Sequence, residues 1–183
     1  MEHPLKQFVN CPKCGSSRFI ENNFKSKKCE DCHFVYYFNP SAASVAVILN
    51  EQNQVLVCRR ANEPAKGTLD LPGGFVDMYE TGEEAVAREV KEETGLDVVH
   101  AQYLLSLPNL YVYSGFEVQT LDLFYLCNVK NCNQLVAQDD IDKSQFVDIE
   151  KLVVEDFGLA SIRRGIKWIK EHSERIKQTS MNN

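Results

Sequence analysis

Three glutamates, Glu89, Glu92 and Glu93, have the types and spacing that could do chemistry. In a helix, residues three and four positions apart lie on the same side, so these carboxylates would be neighbours. Like charges held together repel one another, and a bound divalent cation would relieve that repulsion. Because carboxylate oxygens are the ligands that Mg²⁺ and Mn²⁺ prefer, the pattern predicts a site for one of these ions rather than for zinc.

A solvated helix held by surface ion pairs is the alternative interpretation of this stretch. Three residues have the i,i+4 spacing that such a ladder needs: Glu84, Arg88 and Glu92. The ladder leaves Glu89 and Glu93 unexplained. At about 100° per residue, Glu93 falls beside the apolar residues Val86 and Val90, and Glu89 lies just off that stripe. A carboxylate next to a core-facing stripe is costly unless a cation compensates its charge.

Local signals define the element that carries these acids. Thr81 and Glu84 have the spacing of a capping box, and Gly95 suits the left-handed residue that ends a helix. We therefore predict a helix that begins after Thr81 and ends near Thr94. The preceding segment, 71–77, contains two adjacent glycines, so the chemical stretch is a glycine-rich loop followed by a capped helix.

Four cysteines form a second group, with the spacing C-x2-C-x14-C-x2-C: Cys11, Cys14, Cys29 and Cys32. Each C-x-x-C turn directs two sulfurs to one point, which is typical of a tetrahedral zinc site made of four thiolates. Unrelated thiols or a redox disulfide are the alternatives, and disulfides are rare in cytosolic proteins. Closed four-thiolate sites are structural, so we expect one structural Zn²⁺ here and catalysis elsewhere.

The segment that carries the cysteines, 1–38, has too few apolar residues to fold without the metal, and we predict that it is a separate zinc ribbon. The remainder, 39–183, is then the main domain. Its pattern of strands with two principal helices predicts an α/β (α+β) fold in which a mixed sheet is sandwiched between helices.

Hydrophobic patterns predict the elements of the main domain. Apolar runs at 43–49 and 55–59, joined by a polar turn, predict a β-hairpin. Strands are predicted at 98–105 and 121–129. A helix is predicted to close the domain at 158–177, where isoleucines recur on one side.

Composition limits the partners of the protein. Lysine and arginine total 20 against 26 acidic residues, and because phosphate-binding surfaces are normally basic, we do not expect nucleic acid as the main partner. The first residues lack the apolar segment of a signal peptide, and the apolar run 42–49 is too short to span a bilayer. We therefore expect a cytoplasmic protein with no membrane partner, and the formation of a homodimer stays open.

The stretch from Gly74 to Leu96 resembles the Nudix box, G-x5-E-x7-R-E-U-x-E-E-x-G-U with U aliphatic, and matches every fixed position. A chance match in a chain of this length is on the order of one in ten million. On this stretch the main domain is identified as a member of the Nudix hydrolase superfamily. The resemblance implies the Nudix fold and a Mg²⁺-dependent reaction in which water attacks a phosphorus atom of a diphosphate.

The resemblance also implies which residues form the site. Glu89 and Glu93 resemble direct Mg²⁺ ligands, helped by the carbonyl of Gly73, and Glu92 resembles a residue that shares a metal ion or its water. Two further residues resemble orienting groups: Glu80 and Arg88. The general base is left open, because members of the family use different carboxylates.

A zinc ribbon ahead of a Nudix domain resembles the NADH pyrophosphatase branch of the family. In that branch an acid at the position of Asp140 contributes to metal binding, so Asp140 is a candidate Mg²⁺ ligand, with an acidic surface loop as the alternative. The branch carries an S-Q-P-W-P-F-P motif after the box. The corresponding stretch here, 106–113, keeps Ser106 and Pro108 but lacks the glutamine, the tryptophan and the second proline, which argues against strict specificity for NADH.

Four residues near the box are candidates for binding substrate. Tyr111 and Tyr113 alternate along a strand and could stack on a base, although packing within the strand is the stronger alternative. Arg59 and Arg60 end a strand near the loop, where one of them could reach a substrate phosphate. A surface ion pair is the alternative for these arginines.

Two classes of function remain. The first is a hydrolase that cleaves the diphosphate of an NADH-like dinucleotide, ADP-ribose or a nucleotide sugar to a nucleoside monophosphate and a phosphorylated fragment. Within this class, a nucleoside triphosphate pyrophosphohydrolase is the alternative. The second class is a non-catalytic module that binds a nucleotide or RNA. The intact acids favour the hydrolase, because a pure binder does not need the full box.

Overall fold

Three short antiparallel strands support the cysteine-bearing segment in the computed structural model, which describes residues 2–136 and 141–181. They are hydrogen-bonded in the order β1 (Phe19–Asn23), β2 (Ser26–Cys29) and β3 (Val35–Tyr37). The apolar cluster between them consists of Phe19 with the buried Cys11 and Cys29, and Cys32 and Phe34 pack against it. A core of this size contributes little to stability, so the segment needs another source of cohesion.

The four predicted zinc ligands lie together. Their sulfur atoms are all within 4.8 Å of one another: Cys11, Cys14, Cys29 and Cys32. The Sγ atoms of Cys11 and Cys32 are 3.7 Å apart, well beyond the length of a disulfide bond. A hydrogen bond from the backbone N–H of Cys32 holds the pKa of Cys29 at about 6, which favours the thiolate that zinc requires. The cluster fits a zinc ribbon.

Contacts divide the chain between Pro40 and Ser41, and the second unit contains the remaining elements. These are β4 (Ser41–Ile48), β5 (Gln54–Arg60), β6 (Leu69–Asp70), β7 (Gly73–Phe75), α1 (Gly82–Thr94), β8 (Val98–Tyr113), β9 (Phe116–Val129), β10 (Ile141–Asp148), α2 (Ala160–Glu171) and α3 (Ser173–Met181). One sheet has the strand order β7-β4-β9-β8 and the other β10-β5-β6. Since β4 runs parallel to β9 and antiparallel to β7, the first sheet is mixed, as predicted.

Helices cover both faces of these sheets. Val86 and Val90 of α1 pack in one apolar cluster with Ala46 of β4. Ile166 of α2 packs in the other cluster with Val45, because successive side chains of a strand point to opposite faces. The predicted sandwich of a mixed sheet between helices is confirmed. Among the described residues, no helix is long and apolar enough to cross a membrane.

The predicted hairpin of 43–49 and 55–59 is wrong. Strand β4 pairs with β7 and β9, and β5 pairs with β10 and β6 in the other sheet. A bridge between Leu49 and Val55 is what remains of the expected pairing. Residues of β4 are buried on both faces, so it lies inside its sheet with both edges occupied. The apolar runs predicted two strands but could not indicate their partners.

Two other predicted elements have different limits. The closing helix 158–177 is interrupted at His172, whose φ of −117° separates α2 from α3. Ile169 and Ile176 are buried on either side of the break, so the apolar period continues across it and conceals it. The strands predicted at 98–105 and 121–129 are parts of β8 and β9, which pair from end to end as a long antiparallel ladder.

We expect the purified protein to contain one Zn²⁺ per chain. Replacing Cys29 with Ser removes a fully buried sulfur from the cluster, so zinc should be lost and residues up to Pro40 should become sensitive to proteases. Elemental analysis and limited proteolysis measure the two effects. The Cys132→Ser control, in the other unit, should keep its zinc. Purified protein that lacks zinc and has the four thiols paired as disulfides would contradict the assignment.

Candidate functional site

Both ends of α1 are fixed by the signals that the sequence predicted. The Thr81 hydroxyl accepts a hydrogen bond from the Glu84 N–H at 3.2 Å, and the Glu84 carboxylate accepts one from the Thr81 N–H at 2.8 Å. Gly95 ends the helix with a φ of +70°. The capping box and the left-handed C-cap are confirmed, and they set which turn of α1 faces the preceding loop.

Two glycines bring the loop against β4 and α1. A Cβ at Gly73 would lie 2.1 Å from the carbonyl oxygen of Ser44, and its φ of +151° is one that other residues rarely adopt. A Cβ at Gly74 would lie 2.5 Å from the Oε1 atom of Glu89. Because glycine has no side chain, the backbone of β7 can approach both neighbours, and Glu89 lies directly over it.

Arg88 connects the loop to the acidic residues of α1. Its Nε and Nη2 atoms each donate a 2.9 Å hydrogen bond to Glu80. Nη1 donates to Glu89 at 2.8 Å and to Glu92 at 3.1 Å, and Nη2 also donates to the carbonyl of Phe75 at 3.0 Å. The hydrogen bonds from Arg88 lower the pKa of Glu80. The guanidinium thus holds three carboxylates and the end of β7 in one arrangement.

The three acids of the box differ in environment. Glu93 accepts a 2.9 Å hydrogen bond from the backbone N–H of Gly73. The side chain of Glu89 is 16% exposed and that of Glu92 is 49% exposed. Burial raises the pKa of Glu89, and the hydrogen bond and charge of Arg88 oppose this rise. Glu89 and Glu93 therefore lie at the protein interior side of the helix, and Glu92 lies towards solvent.

A cavity of about 290 Å³ opens beside Glu89 and Glu93. Of the described residues that line it, five carry carboxylates and one carries a guanidinium: Asp70, Asp77, Glu89, Glu93, Asp122 and Arg60. Asp77, Glu89 and Glu93 come from the box and form its acidic end. An anionic ligand would be repelled at that end unless cations entered with it.

A second set of residues that line the cavity, called the inner end below, consists of Arg60, Asp70, Asn109, Tyr111 and Asp122. Arg60 donates a 2.5 Å hydrogen bond to Asp70, and Asp70 also accepts from the Leu71 N–H. Burial raises the pKa of Asp70, and Arg60 opposes the rise. Asp122 accepts from two hydroxyl groups instead, those of Thr120 and Ser161. These two carboxylates therefore already have donors within the protein.

The predicted site residues fall into three groups. Those that line the cavity are Arg60, Gly73, Glu89, Glu93 and Tyr111. Glu80, Arg88 and Glu92 belong to the Arg88 network. Outside both are Arg59, which donates to the carbonyl of Gly67, and Tyr113, which is 64% exposed. Asp140 lies outside the described residues.

The metal-ligating atoms of the four cysteines all lie within 4.8 Å of one another. Within residues 2–136 and 141–181, Glu89, Glu92 and Glu93 do not form such a group.

Sequence reasoning missed three polar residues of the inner end: Asp70, Asn109 and Asp122. Each is less than a tenth exposed. The sequence carried a signal for Asp122, because this acid interrupts the apolar run of 121–127. An acid within a strand that is otherwise apolar indicates a buried charge that needs a partner. Asp70 and Asn109 lie next to loop or proline residues, where polar side chains are common, and carry no comparable signal.

Two known proteins are similar in sequence to part of this chain. The ADP-ribose pyrophosphatase of Methanocaldococcus jannaschii is 38% identical over 120 residues, which cover 63% of this chain and 66% of that protein. The NAD-capped RNA hydrolase NudC of Vibrio atlanticus is 34% identical over 106 residues, covering 58% of this chain and 39% of that protein. The chain thus matches slightly under two thirds of the first relative and about two fifths of the second.

The fold has a counterpart among solved structures, and the family is shown by a domain match. The crystal structure of a NUDIX hydrolase from Nitrosomonas europaea superimposes with a TM-score of 0.68 at 21% identity, covering 91% of this chain and 92% of that one. Residues 39–169, well over half of the chain, match the NUDIX domain. With the box helix, the sandwich and the acidic cavity in place, this chain belongs to the NUDIX domain family.

Proposed function

We propose that the protein is a hydrolase of diphosphate bonds that acts on a nucleoside-diphosphate-linked small molecule. The observation that carries the proposal is the cavity, which is lined both by the box acids Asp77, Glu89 and Glu93 and by the polar residues of the inner end. A molecule with a diphosphate at one side and a nucleoside at the other matches this division. The relatives named as an ADP-ribose pyrophosphatase and a NAD-capped RNA hydrolase support the same class of bond.

The donor set fits Mg²⁺ or Mn²⁺. Glu89, Glu93 and the Gly73 carbonyl would hold the cation, with Glu92 as a further oxygen ligand and Asp140 as a proposed ligand from outside the box. All are hard oxygen donors, which these ions prefer. A divalent cation bound there supplies positive charge against the diphosphate and lowers the pKa of water in its coordination shell.

The residues around the site orient the carboxylates and form no covalent bond with the substrate. Arg88 orients Glu89 and keeps Glu80 ionised at the loop. The Gly73 N–H orients Glu93 through its hydrogen bond at 2.9 Å. Fixed ligands of this kind need little reorganisation when an anionic substrate arrives, which is how phosphoryl-transfer sites gain rate.

The proposed substrates are ADP-ribose, an NADH-like dinucleotide or a related nucleotide sugar. Asn109 stands where the S-Q-P-W-P-F-P motif has tryptophan, and it lines the cavity. A small polar side chain at that position changes the shape of the binding surface, which supports a substrate other than NADH alone. The formal charge of −6 argues against long RNA as the main partner. We further propose a cytoplasmic enzyme in which residues 1–38 act as a zinc-bound structural ribbon.

Product identification tests the proposed reaction. With Mg²⁺, the protein should convert ADP-ribose to AMP and ribose 5-phosphate, and NADH to AMP and the reduced nicotinamide mononucleotide, as measured by mass spectrometry. Chelation of Mg²⁺ should abolish turnover. If ADP-ribose and dinucleotides are untouched while nucleoside triphosphates yield pyrophosphate, the protein is a triphosphate pyrophosphohydrolase. Tight nucleotide or RNA binding without any turnover would instead indicate the binding module.

Glu93→Gln tests the proposed metal ligand. Glutamine can still accept the hydrogen bond from the Gly73 N–H, so the fold should be kept, but the ligand charge is lost. We expect turnover at saturating Mg²⁺ to fall by roughly a hundredfold or more. Glu83→Gln is the matched control, because Glu83 lies on the same helix, is exposed and does not line the cavity. Near-parental turnover by Glu93→Gln would show that Glu93 is not a ligand.

Gly74→Ala tests whether the position of Glu89 matters. The new Cβ would come within 2.5 Å of the Glu89 carboxylate, which must then move away from its place over β7. The movement of the Glu89 carboxylate should lower turnover by roughly tenfold to a hundredfold. The midpoint of thermal unfolding should stay close to that of the parent. Met78→Ala, in the same loop with Met78 88% exposed, is the control. Parental kinetics for Gly74→Ala would mean that the placement of Glu89 is not required.

A further inference from the structure

Asn109 has a hydrogen-bonding group that the proposed hydrolysis does not use. Its side chain lines the cavity from β8 and is 7% exposed. The Oδ1 atom is buried and has no hydrogen-bond partner. A buried acceptor without a partner destabilises a fold. Among the described residues three buried side-chain atoms lack a partner, those of Ser44, Asn109 and Asn128, and the first two residues line the cavity. The Oδ1 atom of Asn109 is available to accept a hydrogen bond from a ligand in the cavity.

Strand register puts Asn109 next to the buried acid of the inner end. Asn109 lies opposite Thr120 in the β8–β9 ladder, and Leu107, two residues earlier, lies opposite Asp122. Residues two apart on a strand share a face, so Asn109, Thr120 and Asp122 are neighbours on one face of the sheet. The hydrogen bond from Ser161 of α2 to Asp122 identifies this face as the one that α2 covers.

The chemistry of the inner end favours hydrogen-bond donors over anions. Asp122 and Asp70 are two carboxylates against one guanidinium, that of Arg60, so a phosphate group would meet net negative charge there. Both carboxylates already accept hydrogen bonds within the protein, which fixes them without a metal ion. An uncharged group that presents N–H or O–H to Asn109 would be complementary to such a surface.

We propose that the inner end binds the uncharged nucleoside part of the substrate, and that Asn109 accepts a hydrogen bond from one of its amino or hydroxyl groups. This inference rests on the proposed function, since it orients the same substrate in the same cavity. The diphosphate then lies towards Glu89 and Glu93, where a cation can accompany it. Asn109 is in this sense a specificity-determining residue and takes no part in the chemical step.

Binding of AMP to the full-length protein, measured by calorimetry, tests the proposal without requiring turnover. In Asn109→Leu the affinity for AMP should fall by about tenfold, the effect of losing one buried hydrogen bond. The KM for ADP-ribose should rise by a similar factor with kcat nearly unchanged, because the contact is the same in the ground and transition states. Asn128→Leu is the matched control, since Asn128 also has a buried Oδ1 without a partner but does not line the cavity.

Analogues of AMP identify the donor in the unmodified protein, so the test survives a variant that fails to fold. Purine riboside monophosphate lacks the amino group, and the 2′-deoxy and 3′-deoxy analogues each lack one hydroxyl. The analogue that lacks the relevant donor should bind about tenfold more weakly than AMP to the parent, and equally weakly to Asn109→Leu.

Two results would overturn the subsite. The first is a parent protein that does not bind AMP. The second is equal AMP binding by the parent, Asn109→Leu and Asn128→Leu, with all analogues equivalent to AMP. The proposed function fails separately, if the parent binds AMP through Asn109 but hydrolyses no diphosphate. Conversely, hydrolysis with AMP affinity independent of Asn109 would leave the reaction in place and remove the subsite.

Discussion

The five hydrogen bonds donated by Arg88 are the interaction on which the site depends. Without this guanidinium, Glu80, Glu89 and Glu92 would repel one another, and the carbonyl of Phe75 would lose its hydrogen bond to α1. A lysine could replace the charge but not the planar fork that reaches several acceptors at once. The acids of α1 are therefore held in place before any cation binds.

The same site requires close backbone approach, which is why glycines recur in it. Gly73 and Gly74 allow β7 to lie against β4 and Glu89, and a Cβ at Gly82 would lie 2.1 Å from the hydroxyl of Tyr125. Arg88 reaches from the helix to β7, where it donates a 3.0 Å hydrogen bond to the carbonyl of Phe75. The glycines thus set how closely the backbone approaches its neighbours around the site, and Arg88 connects α1 to β7 by hydrogen bonds.

The parts of this arrangement that the sequence predicted are those whose determinants are local. Thr81, Glu84 and Gly95 act on neighbours within a few residues, so their effect on α1 could be predicted without knowledge of the fold. The partners of β4 and the inner end of the cavity could not be predicted, because they depend on contacts between distant residues. Ser161 and Asp122 are 39 positions apart, and only the packing of α2 on the sheet brings them together.

The carboxylates that line the cavity differ in the hydrogen-bond donors that already contact them. At the inner end, Arg60 holds Asp70 and two hydroxyl groups hold Asp122, so a metal ion is not needed to keep these carboxylates buried. In the box, Arg88 contacts one oxygen of Glu89, and the Gly73 N–H contacts Oε2 of Glu93. A metal ion can therefore bind Glu89 through its other oxygen without breaking the contact with Arg88 that orients this side chain. We infer from this difference that a metal ion would bind beside Glu89, whereas the inner end would receive uncharged hydrogen-bond donors.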